Sequence, residues 1–171
     1  MSIFKGIFAP LLTPFTDEQK IDWHSLEQHI SFLVRAGIHG IFALGSTSEA
    51  ITMPMSMKEQ LLLGLLPMIP RDVPVVYQTG CGNLQDTLAL SDLACSNGAK
   101  VLSILTPYYY RLDDGSLVDY YKTVAAALGV VPLCIYNFPA RTNNDIHPEL
   151  LRRLTGEISS ICAVKEPTDS V

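Results

Sequence analysis

Long apolar runs are missing from this sequence. Stretches such as Leu61-Leu62-Leu63, followed by Gly64-Leu65-Leu66-Pro67, fall well short of the about 20 residues a membrane-spanning helix needs. The N-terminus, Met1-Ser2-Ile3-Phe4-Lys5-Gly6, has one lysine and a run broken at Pro10, which makes a poor signal peptide. A cytoplasmic protein is expected, without membrane partners. Paired cysteines are missing too: Cys81, Cys95, Cys134 and Cys162 contain no Cys-x-x-Cys and read as reduced thiols in or near the core. His24, His29, His39 and His147 lack any tight ligand spacing, so no metal is expected. There is no basic excess. With 12 Lys and Arg against 17 Asp and Glu, the net charge of −5 argues against nucleic acid as a partner, and any pull on an anionic substrate must be local. The dinucleotide fingerprint is incomplete, because Gln85 stands where the third glycine after Gly80-Cys81-Gly82 would fall, so no cofactor is expected.

What is present is an apolar chain, 48% hydrophobic over 171 residues, enough for one domain with a real core. Strand and helix signals alternate along it. Gly6–Leu12 reads as a strand, and Asp22 as the N-cap of an amphipathic helix through Leu26, Ile30 and Leu33 to Ala36-Gly37. Gly40–Leu44 is a second strand, and Ser56-Met57-Lys58-Glu59 has the capping-box pattern for a helix to Pro67. Val73–Gln78 leads into a helix from Leu84 to Asn97 closed by Gly98. Lys100–Ile104 precedes a helix beginning at Ser116 and reaching Leu128. Pro132–Tyr136 leads into a loop and a helix with Pro148 at its first position, and Ile161–Lys165 is the sixth strand.

The strands are apolar throughout rather than alternating, the mark of parallel strands covered by helices. Two α/β architectures follow: an open doubly wound sheet, or a (β/α)8 barrel. A barrel takes about 250 residues, so this chain would hold about its first five and a half units, with residues 1–171 the N-terminal part of a single domain. The barrel is the preferred reading.

In either architecture, ligands lie beyond the carboxyl ends of the strands. Lys165 ends the sixth strand, and a lysine on a buried apolar strand is uncommon. Desolvation there would favour the neutral amine, the nucleophile of Schiff-base chemistry, although a lysine snorkelling to solvent gives the same pattern. After the second strand, Gly45-Ser46-Thr47-Ser48-Glu49 offers hydroxyls and amides to a carboxylate or phosphate, or simply a Ser/Thr turn. After the fourth comes Pro107-Tyr108-Tyr109-Tyr110, whose tyrosines cannot all point inward. After the fifth, Tyr136 needs a partner for its hydroxyl, while Arg141 suits either a bidentate carboxylate clamp or a surface ion pair.

One such signal at nearly every successive strand end is more specific than any one alone. Together they resemble the dihydrodipicolinate synthase and N-acetylneuraminate lyase family, the pyruvate-dependent class I aldolases. Gly45–Glu49 is similar to the family's Gly-Ser/Thr-Thr-Gly-Glu loop, Pro107-Tyr108-Tyr109 to its Pro-Tyr-Tyr, Tyr136–Thr142 to its Tyr-Asn-x-Pro-x-Arg-Thr, and Lys165-Glu166 to its Schiff-base lysine. Ser48 and Asn143 stand where glycine is usual; asparagine tolerates the left-handed region. The resemblance implies Lys165 as the imine-forming lysine, Tyr136 as proton shuttle with Thr47 coupling it to Tyr109, and Ser46 and Thr47 on the pyruvate carboxylate. It also implies Arg141 on an acidic aldehyde and a homo-oligomer, a tetramer built from dimers in which Tyr109 reaches a neighbouring subunit. The activity implied is a lyase of the 4-hydroxy-tetrahydrodipicolinate synthase type, with 2-keto-3-deoxy sugar acid aldolase and N-acetylneuraminate lyase as alternatives. A non-catalytic or truncated relative would carry the same motifs.

Overall fold

The computed structural model describes residues 4–167. Its elements are β1 (Phe8–Pro10), α1 (Trp23–Arg35), β2 (Gly40–Ala43), a 3-10 turn at Ser46–Ser48, α2 (Met55–Met68), β3 (Val75–Gln78), α3 (Leu84–Ser96), β4 (Leu102–Leu105), α4 (Asp114–Leu128), β5 (Leu133–Tyr136), α5 (Pro139–Thr142), α6 (Pro148–Glu157) and β6 (Ile161–Lys165). The chain divides into two compact units, Met1–Gln78 with Asn97–Ala99, and Thr79–Ser96 with Lys100–Val171. Among the described residues no helix is long and apolar enough to cross a membrane.

In the first unit β1, β2 and β3 pair in parallel, with Ala9 opposite Ile41 and Ile41 opposite Val75. Every residue of β2 is buried, as a parallel strand covered on both faces should be. Asp22 caps α1 as expected: its carboxylate accepts from the Ser25 N–H at 3.0 Å and from the Ser25 hydroxyl at 2.6 Å. Gly64 sits inside α2 for a packing reason. A Cβ there would lie 2.3 Å from the Trp23 ring, so the missing side chain is what lets the indole rest on the helix.

In the second unit β4, β5 and β6 are parallel, and the register aligns Leu105 with Tyr136 and Tyr136 with Lys165. β4 and β5 are buried along their whole length. α3 closes before Gly98, whose φ of 92° suits glycine. The Tyr121 hydroxyl, midway along α4, donates to the Ile104 carbonyl at 3.1 Å and so anchors the helix to β4.

Several expected boundaries move. β1 is shorter than Gly6–Leu12, although the Leu11 N–H still reaches the Phe42 carbonyl at 2.9 Å. β3 begins at Val75, because the Val73 N–H is committed to a turn with Pro70. The Ser56–Glu59 capping box does not form: α2 starts at Met55 behind Pro54, which puts Ser56 inside the first turn, and the helix runs one residue past Pro67. α4 starts earlier than Ser116, because Asp113 accepts from the Ser116 N–H at 2.7 Å and is itself the cap. The loop after β5 contains the helical turn α5. β6 is not the buried strand expected. Its burial alternates, with Cys162 exposed and Val164 38% exposed, since its outward face meets only part of a groove bordered by α6.

Candidate functional site at the carboxyl ends of the strands

Parallel strands in register carry their side chains to the same face at the same height. Tyr136 and Lys165 are such a pair, each the last residue of its strand. Tyr136 is buried, and the Lys165 Nζ lies 3.6 Å above the centre of its ring, a seat that fixes the lysine by the negative face of the aromatic system. Phe138 stacks on Tyr136 from the following loop, at 6.0 Å between ring centres and 21° between planes. Lys165 is half-buried rather than dry. Burial pushes the neighbouring Cys134 thiol up to about 11, partly countered by Ser103 and Lys165.

Asn137, to which the sequence gives no role beyond its place in the Tyr136–Thr142 motif, ties the two strand tips together. Its N–H donates to the Lys165 carbonyl at 3.0 Å, and its Nδ2 donates to Asp145 at 2.9 Å and to Glu166 at 2.6 Å. Its Oδ1 accepts from the Ile146 N–H at 2.9 Å. An asparagine after a strand has no periodic signature, and its role shows only once residues distant in sequence meet.

Arg141 lies exposed in α5 with its guanidinium 6.0 Å from the Phe138 ring centre, and no ion pair to it is found among the described residues. Asn143 follows α5 at φ 64°, the left-handed conformation expected of it. The 107–112 loop turns Tyr108 inward and Tyr109 outward. Tyr108 rests against Gly82, where a Cβ would lie 3.1 Å from its hydroxyl, and burial raises its pKa. Tyr109 is 80% exposed, meets Tyr110 edge to face, and has a φ of 81°.

In the first unit, Ser46 and Thr47 are exposed on the 3-10 turn just past β2. Ser48 is buried and its hydroxyl donates to the Gly45 carbonyl at 3.2 Å, so serine fits where glycine was expected. The left-handed positions of this loop are Leu44 and Glu49, both at φ 59°. Of the five described non-glycine residues with positive φ, all but Gln19 follow β2, β4 or β5. Each costs on the order of 1–3 kcal/mol, and bulky residues such as Leu44 and Tyr109 held this way mark the strand ends as constrained positions.

Strands in parallel, separated by helices and carrying a lysine, tyrosines and hydroxyls at or just past their carboxyl ends, define a protein of the β/α-barrel class. Residues 3–171 match the dihydrodipicolinate synthetase family, and the chain belongs to it. It is 33% identical over 169 residues to a 4-hydroxy-tetrahydrodipicolinate synthase of Methanothrix thermoacetophila, covering 99% of this chain and 56% of the relative. The crystal structure of YagE from Escherichia coli K12, a prophage protein of the dihydrodipicolinic acid synthase family solved in complex with pyruvate, superposes with a TM-score of 0.94 at 32% identity, over 99% of this chain and 56% of that one. A chloride-inhibited dihydrodipicolinate synthase from Acinetobacter baumannii, also complexed with pyruvate, gives 0.91 at 30% identity over 97% and 56%. The chain thus has the fold of the first part of a (β/α)8 barrel and spans a little over half the length of the relatives it matches.

Proposed function

We propose that this chain carries the Schiff-base half-site of a pyruvate-dependent class I lyase, in which Lys165 forms an imine with pyruvate. The observation that carries this reading is the Lys165 Nζ seated 3.6 Å above the Tyr136 ring, at the paired ends of β5 and β6. The neutral amine adds to the keto carbon; the carbinolamine loses water and leaves the imine. The imine nitrogen then draws electrons from the adjacent methyl group, which gives up a proton and becomes an enamine. This carbon adds to an aldehyde, and water returns the lysine. Each step moves a proton, and the hydroxyl carried by the Tyr136 ring beneath the amine is our candidate for that work. The roles of Ser46 and Thr47 on the pyruvate carboxylate, and of Thr47 and Tyr109 in the relay, rest on the match of their motifs to the family. So does assembly into a homo-oligomer of paired dimers.

We assign the aldehyde to the acidic class, as in a 4-hydroxy-tetrahydrodipicolinate synthase, because Arg141 projects from α5 with its guanidinium exposed. A second reading, cleavage of a 2-keto-3-deoxy sugar acid, is favoured by the likeness to YagE, which is itself described as a putative 2-dehydro-3-deoxy-D-gluconate aldolase. Borohydride reduction with pyruvate should leave one adduct on the peptide bearing Lys165, and Lys165→Arg should abolish it. An intact protein that gives no adduct sinks the Schiff-base reading. Arg141→Ala should impair an acidic aldehyde by about tenfold or more and a neutral sugar aldehyde little; equal losses would favour the second reading.

A further inference from the structure

We propose that Asn144 is a positioning residue whose side chain staples the 107–112 loop into the shape that presents Tyr109 outward. The relevance of Tyr109 to catalysis rests on the Schiff-base reading above; the staple itself rests on geometry. Asn144 is 3% exposed, and the shortest hydrogen bonds of its carboxamide go to this one loop, the Nδ2 also donating to the Thr142 carbonyl at 3.3 Å. Its Nδ2 donates to the Pro107 carbonyl at 2.7 Å and to the Tyr110 carbonyl at 2.9 Å, while its Oδ1 accepts from the Leu112 N–H at 2.7 Å. These three backbone groups bracket Tyr109. With the carbonyls before and after it drawn inward, the residue between is left at φ 81° and its ring faces solvent.

The staple is anchored at its other end. The Asn144 N–H donates to the Thr142 hydroxyl oxygen at 3.3 Å, and that oxygen accepts from the Thr106 hydroxyl at 2.9 Å. Thr106 and Thr142 are fully buried. The loop of Tyr109 is therefore fastened to the segment that follows Tyr136 and contains Arg141, so three candidate site residues share one rigid support. A buried amide with both donors and its acceptor in use leaves two carbonyls and an N–H without partners when truncated, and the loop must then rearrange to solvate them. A left-handed tyrosine has no reason to persist without that constraint.

Two readouts test this on the full chain. In Asn144→Ala, hydrogen exchange of the Leu112 amide should speed up about tenfold or more while the amides of α4 stay as they were. Unchanged exchange at Leu112 overturns the staple. In turnover, Asn144→Ala should lower kcat about tenfold or more while the yield of the borohydride adduct on Lys165 is kept, and Tyr109→Phe should do the same. The double variant should be no slower than Tyr109→Phe alone, because both changes remove the same contribution. Additive losses, or adduct yield falling in step with kcat, would reduce Asn144 to a structural residue and overturn the proposal. Should Asn144→Ala not fold, the isosteric Asn144→Asp keeps an acceptor for Leu112 but loses both donors, and its loss of kcat decides in the same way. If the unaltered protein forms no adduct, the Schiff-base reading fails, and the exchange experiment still judges the staple.

Discussion

At the residue scale, asparagine side chains fix the ends of the strands. Asn137 is buried to 3% exposure and offers one amide group to two carboxylates, Asp145 and Glu166. Both are hydrogen bonds to charged groups, stronger than neutral ones, though the carboxylates keep access to water, which lowers their worth. Asn137→Ala should therefore cost roughly 2–3 kcal/mol of stability, read from urea unfolding. It should also lower the yield of the Lys165 adduct, because Glu166 adjoins Lys165 and would lose the group that holds it. A variant with unchanged stability and adduct yield would show that the strand tips are held by β pairing alone. The sequence made Lys165 and Tyr136 visible because a cation or hydroxyl at the end of an apolar run is out of place, and Arg141 because a guanidinium soon after such an end suits a carboxylate clamp. Asn143 was legible for its tolerance of positive φ. Asn137 and Asn144 were not, since a polar residue in a loop is ordinary until its distant partners are known.

At the element scale, capping chemistry marks helix starts only in part: Asp22 caps α1, while the Ser56 capping box does not form. Asp22 and Asp113 are both N-caps, but the sequence points only to the first; Ser116, the expected start of α4, is instead the donor to Asp113. The order of the strands and the bounds of β6 agree with the sequence, whereas β1, β3, β4 and β5 begin later than expected, since an apolar run gives no sign of its first paired amide. The cap on α4 has a consequence with pH. Bonds from the Ser116 N–H and hydroxyl hold the Asp113 carboxyl below the ordinary carboxylate range. A group whose pKa is depressed by folding contributes stability above its unfolded value, about 3.9, and loses that contribution as pH falls toward the folded one. The urea midpoint should therefore drop as the solution is acidified from about pH 6 to about pH 3, and drop less in Asp113→Asn, which keeps a cap acceptor without a titrating carboxyl. Parallel curves for the two proteins would mean that the charge on the cap adds nothing to its hydrogen bonds.

At the scale of the whole molecule, alternation of strand and helix with apolar strands was enough to identify parallel pairing, and the motifs at the ends of four strands were enough to identify the family. What composition could not reveal is the condition of β6. The sequence reads as a core strand, but Cys162 is exposed and Val164 is 38% exposed beside a groove of about 720 Å³ lined in part by Leu151 and Thr155 of α6. In a β/α repeat the outer face of a strand is covered by the helix that follows it, and a β-branched apolar residue there is suited to that burial. On the reading that residues 1–171 are the first part of a barrel domain, this polypeptide made alone should bury that face against something else. We expect it to sediment as species larger than a monomer, in a concentration-dependent way, and to bind a hydrophobic dye. Val164→Lys should weaken both, because a lysine on an open strand opposes edge and face pairing. A monodisperse monomer that leaves the dye unbound would mean that the exposed face of β6 needs no further cover.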